Sequence, residues 1–251
     1  MPSKTFKTYP KTAYCMQKEK ATIVLPTYNE RGNIEQLSLE LIKELKGSGH
    51  SPEIIIVDDN SPDGTGQLAE HLAKKHREIK AIVRKNERGL ATAILRGINE
   101  SSGSIIVLMD CDFSHPPQFV PELLKQLESA DAVFASRYAK GGRMETDKIQ
   151  YCLSRMFNHS IKLMLGINVI DSTNGFLAIR RAALQGIRME KVFTGYGDYC
   201  FKMIYALKSR KPRIKEIPFR YMPRRYGKSK TSLLKAGLTY WKEALKLRLG
   251  L

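Results

Sequence analysis

Long apolar runs are missing from this 251-residue chain: no window approaches the ~18 consecutive apolar residues that a bilayer-crossing helix requires. Cysteine is scarce. Cys15, Cys111, Cys152 and Cys200 lie far apart and form no C-x-x-C, which argues against a disulfide framework or a thiolate zinc site and predicts a reducing, cytosol-facing compartment. Lys4, Lys7 and Lys11 are not followed by an apolar stretch, so no secretory signal is expected. No G-x-S-x-G occurs, and the five histidines lack metal-ligand spacing, which leaves serine hydrolysis and a histidine metal centre without support. Acidic charge is outnumbered, with Lys+Arg 42 against Asp+Glu 25 and a formal charge of +17. Such a surplus predicts an anionic partner: nucleic acid, nucleotide, lipid phosphate or anionic membrane.

What is present is enough to fold. At 42% hydrophobic the chain can bury a core, and its length fits one large domain or two small ones. Residues 1–20 read as a basic N-terminal arm. From Ala21 the pattern changes to short apolar, β-branched runs alternating with amphipathic stretches. Strands are expected at 21–25, 53–57, 79–83 and 104–109, each followed by a helix, at about 30–46, 62–76, 88–100 and 117–128. This alternation predicts an α/β fold with a mostly parallel central sheet flanked by helices. Further on, strands are expected at 132–136, 176–179 and 213–217 and helices at 149–165 and 198–208. A C-terminal amphipathic helix closes the chain within 231–251, with Leu234, Leu238, Trp241, Leu245 and Leu249 on one stripe. That stripe either docks on the domain or lies on an anionic bilayer.

Open sheets of this kind bind ligands beyond the carboxyl ends of their strands. The residues there are polar: Pro26, Thr27, Tyr28, Asn29 and Glu30 after the first strand, Asp58 through Asp63 after the second, Asp110, Cys111 and Asp112 after the fourth. Carboxylates gathered at one edge repel one another unless they share a cation. Asp110 and Asp112, one residue apart, suit Mg²⁺ or Mn²⁺ bridging to a diphosphate, the alternative being a solvated loop. Asp58 and Asp59 either contact a nucleotide or serve as a cap and an Asx-turn, and Tyr28 can stack on a base. Gly64-Thr65-Gly66-Gln67-Leu68-Ala69 matches G-x-G-x-x-A but starts six residues and three aspartates after its strand, which argues against dinucleotide binding. The run from Pro223 to Lys230 is either a solvated face or a loop that folds over phosphate.

Taken in order, Pro26-Thr27-Tyr28-Asn29-Glu30, Val57-Asp58-Asp59-Asn60-Ser61-Pro62-Asp63-Gly64-Thr65, Arg88-Gly89-Leu90, Asp110-Cys111-Asp112 and Gly227-Lys228-Ser229-Lys230 resemble the family 2 glycosyltransferases of GT-A fold. Within them the chain is most similar to the polyprenyl-phosphate enzymes of the dolichol-phosphate mannose synthase type. The resemblance covers residues 21 to about 230. It implies an inverting transfer of a sugar, mannose from GDP-mannose, to a polyprenyl or dolichyl phosphate with Mg²⁺ or Mn²⁺ as cofactor. It further implies peripheral attachment to the cytosolic face of a membrane, with a separate anchoring subunit and no nucleic acid. A UDP-sugar donor or a hydroxyl acceptor is the alternative within the family. A basic nucleic-acid or membrane-surface binder is the alternative outside it.

Carried over by motif, Pro26, Tyr28, Glu30, Val57, Asp59, Asp110, Cys111 and Asp112 would hold the nucleotide-sugar, with Asp110 and Asp112 on the metal. Arg137, Arg224 and Lys230 would meet the diphosphate or the acceptor phosphate. Asp112 is the expected catalytic centre. Asp198 is either a general base or the cap of the helix it opens. Two departures touch the acceptor side: Leu177 follows Asp171-Ser172-Thr173-Asn174-Gly175-Phe176 where the synthases carry arginine, and Gly195-Tyr196-Gly197-Asp198-Tyr199 replaces Gly-Tyr-x-Phe-Gln.

Overall fold

The computed structural model describes residues 18–225 and 233–250, and for 233–236 the backbone alone. Most of the N-terminal arm, the segment from Gly227 to Lys230 and the side chain of Leu234 therefore lie outside the described residues.

Four strand–helix repeats come first: β1 (Lys20–Thr27) and α1 (Arg31–Gly47), β2 (Ser51–Asp58) and α2 (Thr65–Lys75), β3 (Ile79–Val83) and α3 (Leu90–Glu100), then β4 (Ile105–Leu108) and, after a 3₁₀ turn at Pro117–Phe119, α4 (Val120–Gln126). β5 (Ala132–Ser136), β6 (Arg143–Met144), α5 (Lys148–Leu165) and β7 (Leu177–Arg180) follow. After them come α6 (Met189–Val192), α7 (Tyr199–Lys208), β8 (Ile214–Pro218), β9 (Arg220–Tyr221) and α8 (Leu233–Leu249).

The main sheet has the order β3-β2-β1-β4-β7-β5-β8, and β6 pairs with β9. β1, β2, β3 and β4 run parallel, in register Val24 with Ile55 and with Leu108. β7 is antiparallel to both β4 and β5, which makes the sheet mixed in its second half. Both faces are covered, as continuous apolar strands require. Ile23, Leu25, Ile54 and Ile56 pack under α1, whose Ile34, Leu37, Leu41 and Leu45 are fully buried. On the opposite face Val24, Ile106, Leu108 and Phe134 meet residues of α3, α5 and α7. α3 lies close on this face because position 97 is glycine; a Cβ there would fall 2.4 Å from Val24 Cγ1.

β1 is flanked by β2 on one side and β4 on the other, so the chain leaves the first strand in one direction and later returns to its opposite edge. That reversal opens a crevice beyond Thr27, Asp58 and Leu108.

α8 docks on the domain through a different face from the expected one. Tyr240, Ala244 and Leu247 pack inward, while Leu238, Trp241, Leu245 and Leu249 are exposed. Ile149, Leu153, Met156 and Leu163 of neighbouring α5 are also exposed. Among the described residues no helix is long and apolar enough to cross a membrane.

Candidate active site at the carboxyl edge of the sheet

The turn after β1 is built to hold a fixed backbone. Asn29 sits at φ 58°, and its N–H donates to Ser61 Oγ (2.9 Å), while Glu30 N–H donates to Thr65 Oγ1 (2.9 Å). Asp58 is spent on the same join. Its Oδ1 accepts from Thr27 Oγ1 (3.1 Å) and Ser61 Oγ, and its Oδ2 from Ser61 N–H (2.9 Å), which ties the first two strand ends together.

Asp59 faces the other way, into a buried pair with Arg84, the first residue after β3. Asp59 Oδ1 takes Arg84 Nε (2.8 Å) and Nη2, and Oδ2 takes Gly89 N–H (2.7 Å). Arg84 also donates to Thr92 Oγ1 and to Gly89 O, each 2.9 Å, so one guanidinium fixes the whole loop from 84 to 89. Beside it, Arg88 lies over the Tyr28 ring at 3.9 Å. Tyr28, Asp59, Asn60, Arg84, Lys85 and Arg88 line a groove of about 300 Å³. The expected contacts Tyr28 and Asp59 thus belong to this groove, with Asp59 already engaged. Val57 does not reach it: its side chain is buried against Ile55 and Ala93. Pro26 is half-buried within β1.

The aspartate turn follows β4. Asp112 is 1% exposed, and its Oδ1 accepts from Ser114 N–H (2.9 Å) and Ser114 Oγ (2.5 Å). Its Oδ2 is buried and accepts no hydrogen bond; its neighbour is the Arg224 guanidinium, Nε at 2.9 Å in a charge contact. Glu30 Oε1 lies 3.9 Å from the same guanidinium. Asp110 is more open, and burial together with the adjacent Asp112 carboxylate pushes its carboxyl above the usual range. Asp110 N–H donates to His115 Nδ1 (2.9 Å), whose Nε2 lies 3.1 Å from Asn174 Oδ1 and whose ring stacks on Phe176 at 4.7 Å. The bond accepted at Nδ1 leaves Nε2 as the nitrogen that donates to Asn174 and locks the turn's start.

Cys111, between the two aspartates, is buried in the core, and burial raises its thiol pKa well above the ordinary value. Its side chain packs in the apolar core beneath the crevice.

The two aspartates fit a divalent ion. Among the described residues no three His, Cys, Asp or Glu side chains converge as a ready cage, so a metal here would draw further ligands from substrate oxygens, as Mg²⁺ commonly does. The orphaned Asp112 Oδ2, facing a cation, is the atom positioned for it.

Arg137 closes the far side. Its Nε and Nη2 grip Asp171 at 2.8 and 2.6 Å, and Asp171 N–H in turn donates to Glu216 (2.8 Å). Tyr221 packs beside Arg137, 5.8 Å from ring to guanidinium, and burial followed by the nearby Asp110 carboxylate pushes its phenol up. Arg137 and Arg224 are thereby brought to the aspartate turn, whereas Lys230 lies outside the described residues.

Asp198 is 1% exposed and stands at the N-terminus of α7, which its side chain does not cap. Oδ1 accepts from Tyr196 N–H (2.7 Å) and Oδ2 pairs with Lys202, which also reaches Glu243 of α8 at 3.1 Å. Leu177, the departure from the arginine pattern, is fully buried in the core. Arg84, Tyr221, His115 and Lys202 carry no motif; only the rule that strand ends matter points to Arg84.

Residues 22–188 match the family model Glycosyl transferase family 2. A dolichol-phosphate mannosyltransferase of Pyrococcus furiosus is 32% identical over 84% of the chain, which spans 59% of that relative's length. One of Saccharomyces cerevisiae is 32% identical over 84% of the chain and 80% of its own length. Glucosyl-3-phosphoglycerate synthase from Mycobacterium tuberculosis, solved with Mn²⁺, UDP and phosphoglyceric acid, superposes with a TM-score of 0.67 at 21% identity, covering 93% of the chain and 79% of that protein. That structure corrects the narrower expectation. That protein was solved with a uridine nucleotide and a small phosphorylated acid, so the shared architecture does not by itself select GDP-mannose or a polyprenyl acceptor. GDP-mannose, a polyprenyl or dolichyl phosphate acceptor, and the membrane and anchoring subunit that went with it are therefore not carried over. The α/β architecture, with its central sheet flanked by helices, is of GT-A type, and the chain is a glycosyltransferase belonging to glycosyl transferase family 2.

Proposed function

We propose that this enzyme transfers a sugar from a UDP-sugar to a small, phosphate-bearing, non-prenyl acceptor in a metal-dependent reaction. The observation that carries the proposal is the buried Asp112 Oδ2 beside Asp110, which accepts no hydrogen bond and meets only the charge of the Arg224 guanidinium. A divalent ion held by Asp110 and Asp112 would supply neutralisation of the leaving diphosphate.

The base groove supports uracil over guanine. Guanine presents N1–H and N2–H donors together and calls for an open carboxylate, but both Asp59 oxygens are taken by Arg84 and Gly89. Glu87, 68% exposed at the groove's rim, spends one oxygen on Arg84 at 3.2 Å. Uracil, with two carbonyl acceptors and one N–H, suits a wall of Arg84, Lys85 and Arg88. Tyr28 offers a face for stacking.

Arg137, held in orientation by Asp171, and Arg224, a second and more exposed guanidinium, are the groups suited to phosphate oxygens. Asp198 acts as a positioning residue, since its carboxylate is committed to Lys202 and Tyr196. The free thiols of Cys111, Cys152 and Cys200 support a cytoplasmic location.

The test is a donor-by-acceptor panel with Mn²⁺: UDP-glucose and GDP-mannose, each with 3-phosphoglycerate, glycerol 3-phosphate and dolichyl phosphate, read by release of the nucleoside diphosphate. Transfer from UDP-glucose to a phosphorylated small acceptor, abolished by EDTA, is expected. Turnover confined to GDP-mannose with dolichyl phosphate would overturn the proposal.

A further inference from the structure

The loop 186–188, α6, the end of α7 and Leu247 of α8 line a second cavity of about 300 Å³. Val192, Ala206 and Leu247 give it an apolar floor, and Arg188, Lys191 and Arg210 form its rim. No acid lines it. Among the described residues the side chains of Arg188, Lys191 and Arg210 have no hydrogen-bond or ion-pair partner.

Two further features make this more than scattered surface charge. Gly186, at φ 70°, leaves room for the Arg210 guanidinium, since a Cβ at that position would lie 2.1 Å from Arg210 Nη2. Lys202, which also lines the cavity, is 5% exposed, an interior ammonium whose own partners are Asp198 and Glu243. Three uncompensated cations converging over an apolar floor create a positive potential that a dianion relieves, and a guanidinium fork matches phosphate oxygens.

We propose that this cavity is a binding site for a phosphate monoester, separate from the donor site. The ligand is either a soluble phosphate ester or the headgroup of a phosphatidic acid, whose acyl chains would leave along the exposed apolar side of α8. Because Lys202 joins the cavity to Asp198 and to Glu243, occupancy would be felt at the 194–198 turn and at the docking of α8. The inference does not depend on the donor or acceptor proposed above.

Amide chemical-shift titrations of the full chain with inorganic phosphate test it. Saturable shifts are expected at residues 186–192 and 202–210. R188S/R210S should weaken binding at least tenfold and K191S a few-fold, with thermal melting showing the fold intact. K74S/K75S, which removes the same charge from exposed positions on α2, should leave it unchanged. A parallel titration with a short-chain phosphatidic acid below its micelle concentration separates the sources. Tighter binding than phosphate identifies a lipid headgroup, and equal binding a soluble ester. Non-saturating shifts, or equal losses in the K74S/K75S control, would overturn the proposal.

Discussion

Arg224 illustrates how one residue stands in two places at once. Its guanidinium occupies the position beside Asp112 Oδ2 that a divalent ion would take, with Glu30 within 3.9 Å, and these carboxylates raise its pKa against the opposing effect of burial. Asp110 and Asp112 would hold a divalent ion only with Arg224 moved from this contact, and its guanidinium would then be available to the diphosphate. The R224M variant should therefore bind Mn²⁺ without nucleotide more tightly, roughly tenfold or about 1.4 kcal/mol by titration calorimetry, yet turn over more slowly. Unchanged metal affinity would remove Arg224 from this role. The aspartate pair itself was legible because two carboxylates directly after a buried strand are chemically conspicuous. The Arg84–Asp59 pair was not: Arg84 lies 25 residues from Asp59, and nothing local in either segment specifies that they meet.

At the scale of elements, β1, β2 and the turn before β4 are joined by Glu53, which accepts from Thr22 and from Ser102 N–H (2.8 Å) and Oγ (2.6 Å). Burial would raise the Glu53 carboxyl, but the hydrogen bonds from Ser102 and Thr22 prevail and hold it below its ordinary value of 4.5. A folded-state pKa below the unfolded one contributes stability above pH 4.5 that disappears as pH falls through the folded value. Thermal melts should show E53Q less stable than the parent at pH 7, with the difference closing toward pH 3; a difference that persists at pH 3 would contradict the account.

The parallel β1–β4 unit could be read from the sequence because each strand is a contiguous apolar run followed by its own helix. The direction of β7 could not. Leu177–Arg180 is a short apolar segment whose orientation is set by pairing with β4 and β5, contacts distant in sequence. α8 shows the same limit. Periodicity identified a stripe through Leu238, Trp241 and Leu245, but the face that packs is Tyr240, Ala244 and Leu247, because that side meets α5 and α7.

For the whole molecule, a formal charge of +17 coexists with an acidic turn at the sheet edge, so the positive field draws anions in while the acids demand a cation before a diphosphate can settle. Charge balance alone leaves open several anionic partners; the arrangement of Asp110, Asp112, Arg137 and Arg224 narrows them to a ligand that brings phosphate and metal together. The measurement that tests this most directly is calorimetric titration of UDP into the enzyme with Mn²⁺ or with EDTA, repeated on D112N. Binding that strengthens at least tenfold with Mn²⁺ in the parent, and shows no such gain in D112N, is the predicted result. Equal UDP affinity with Mn²⁺ and with EDTA in the parent, or a Mn²⁺ gain retained in D112N, would contradict it.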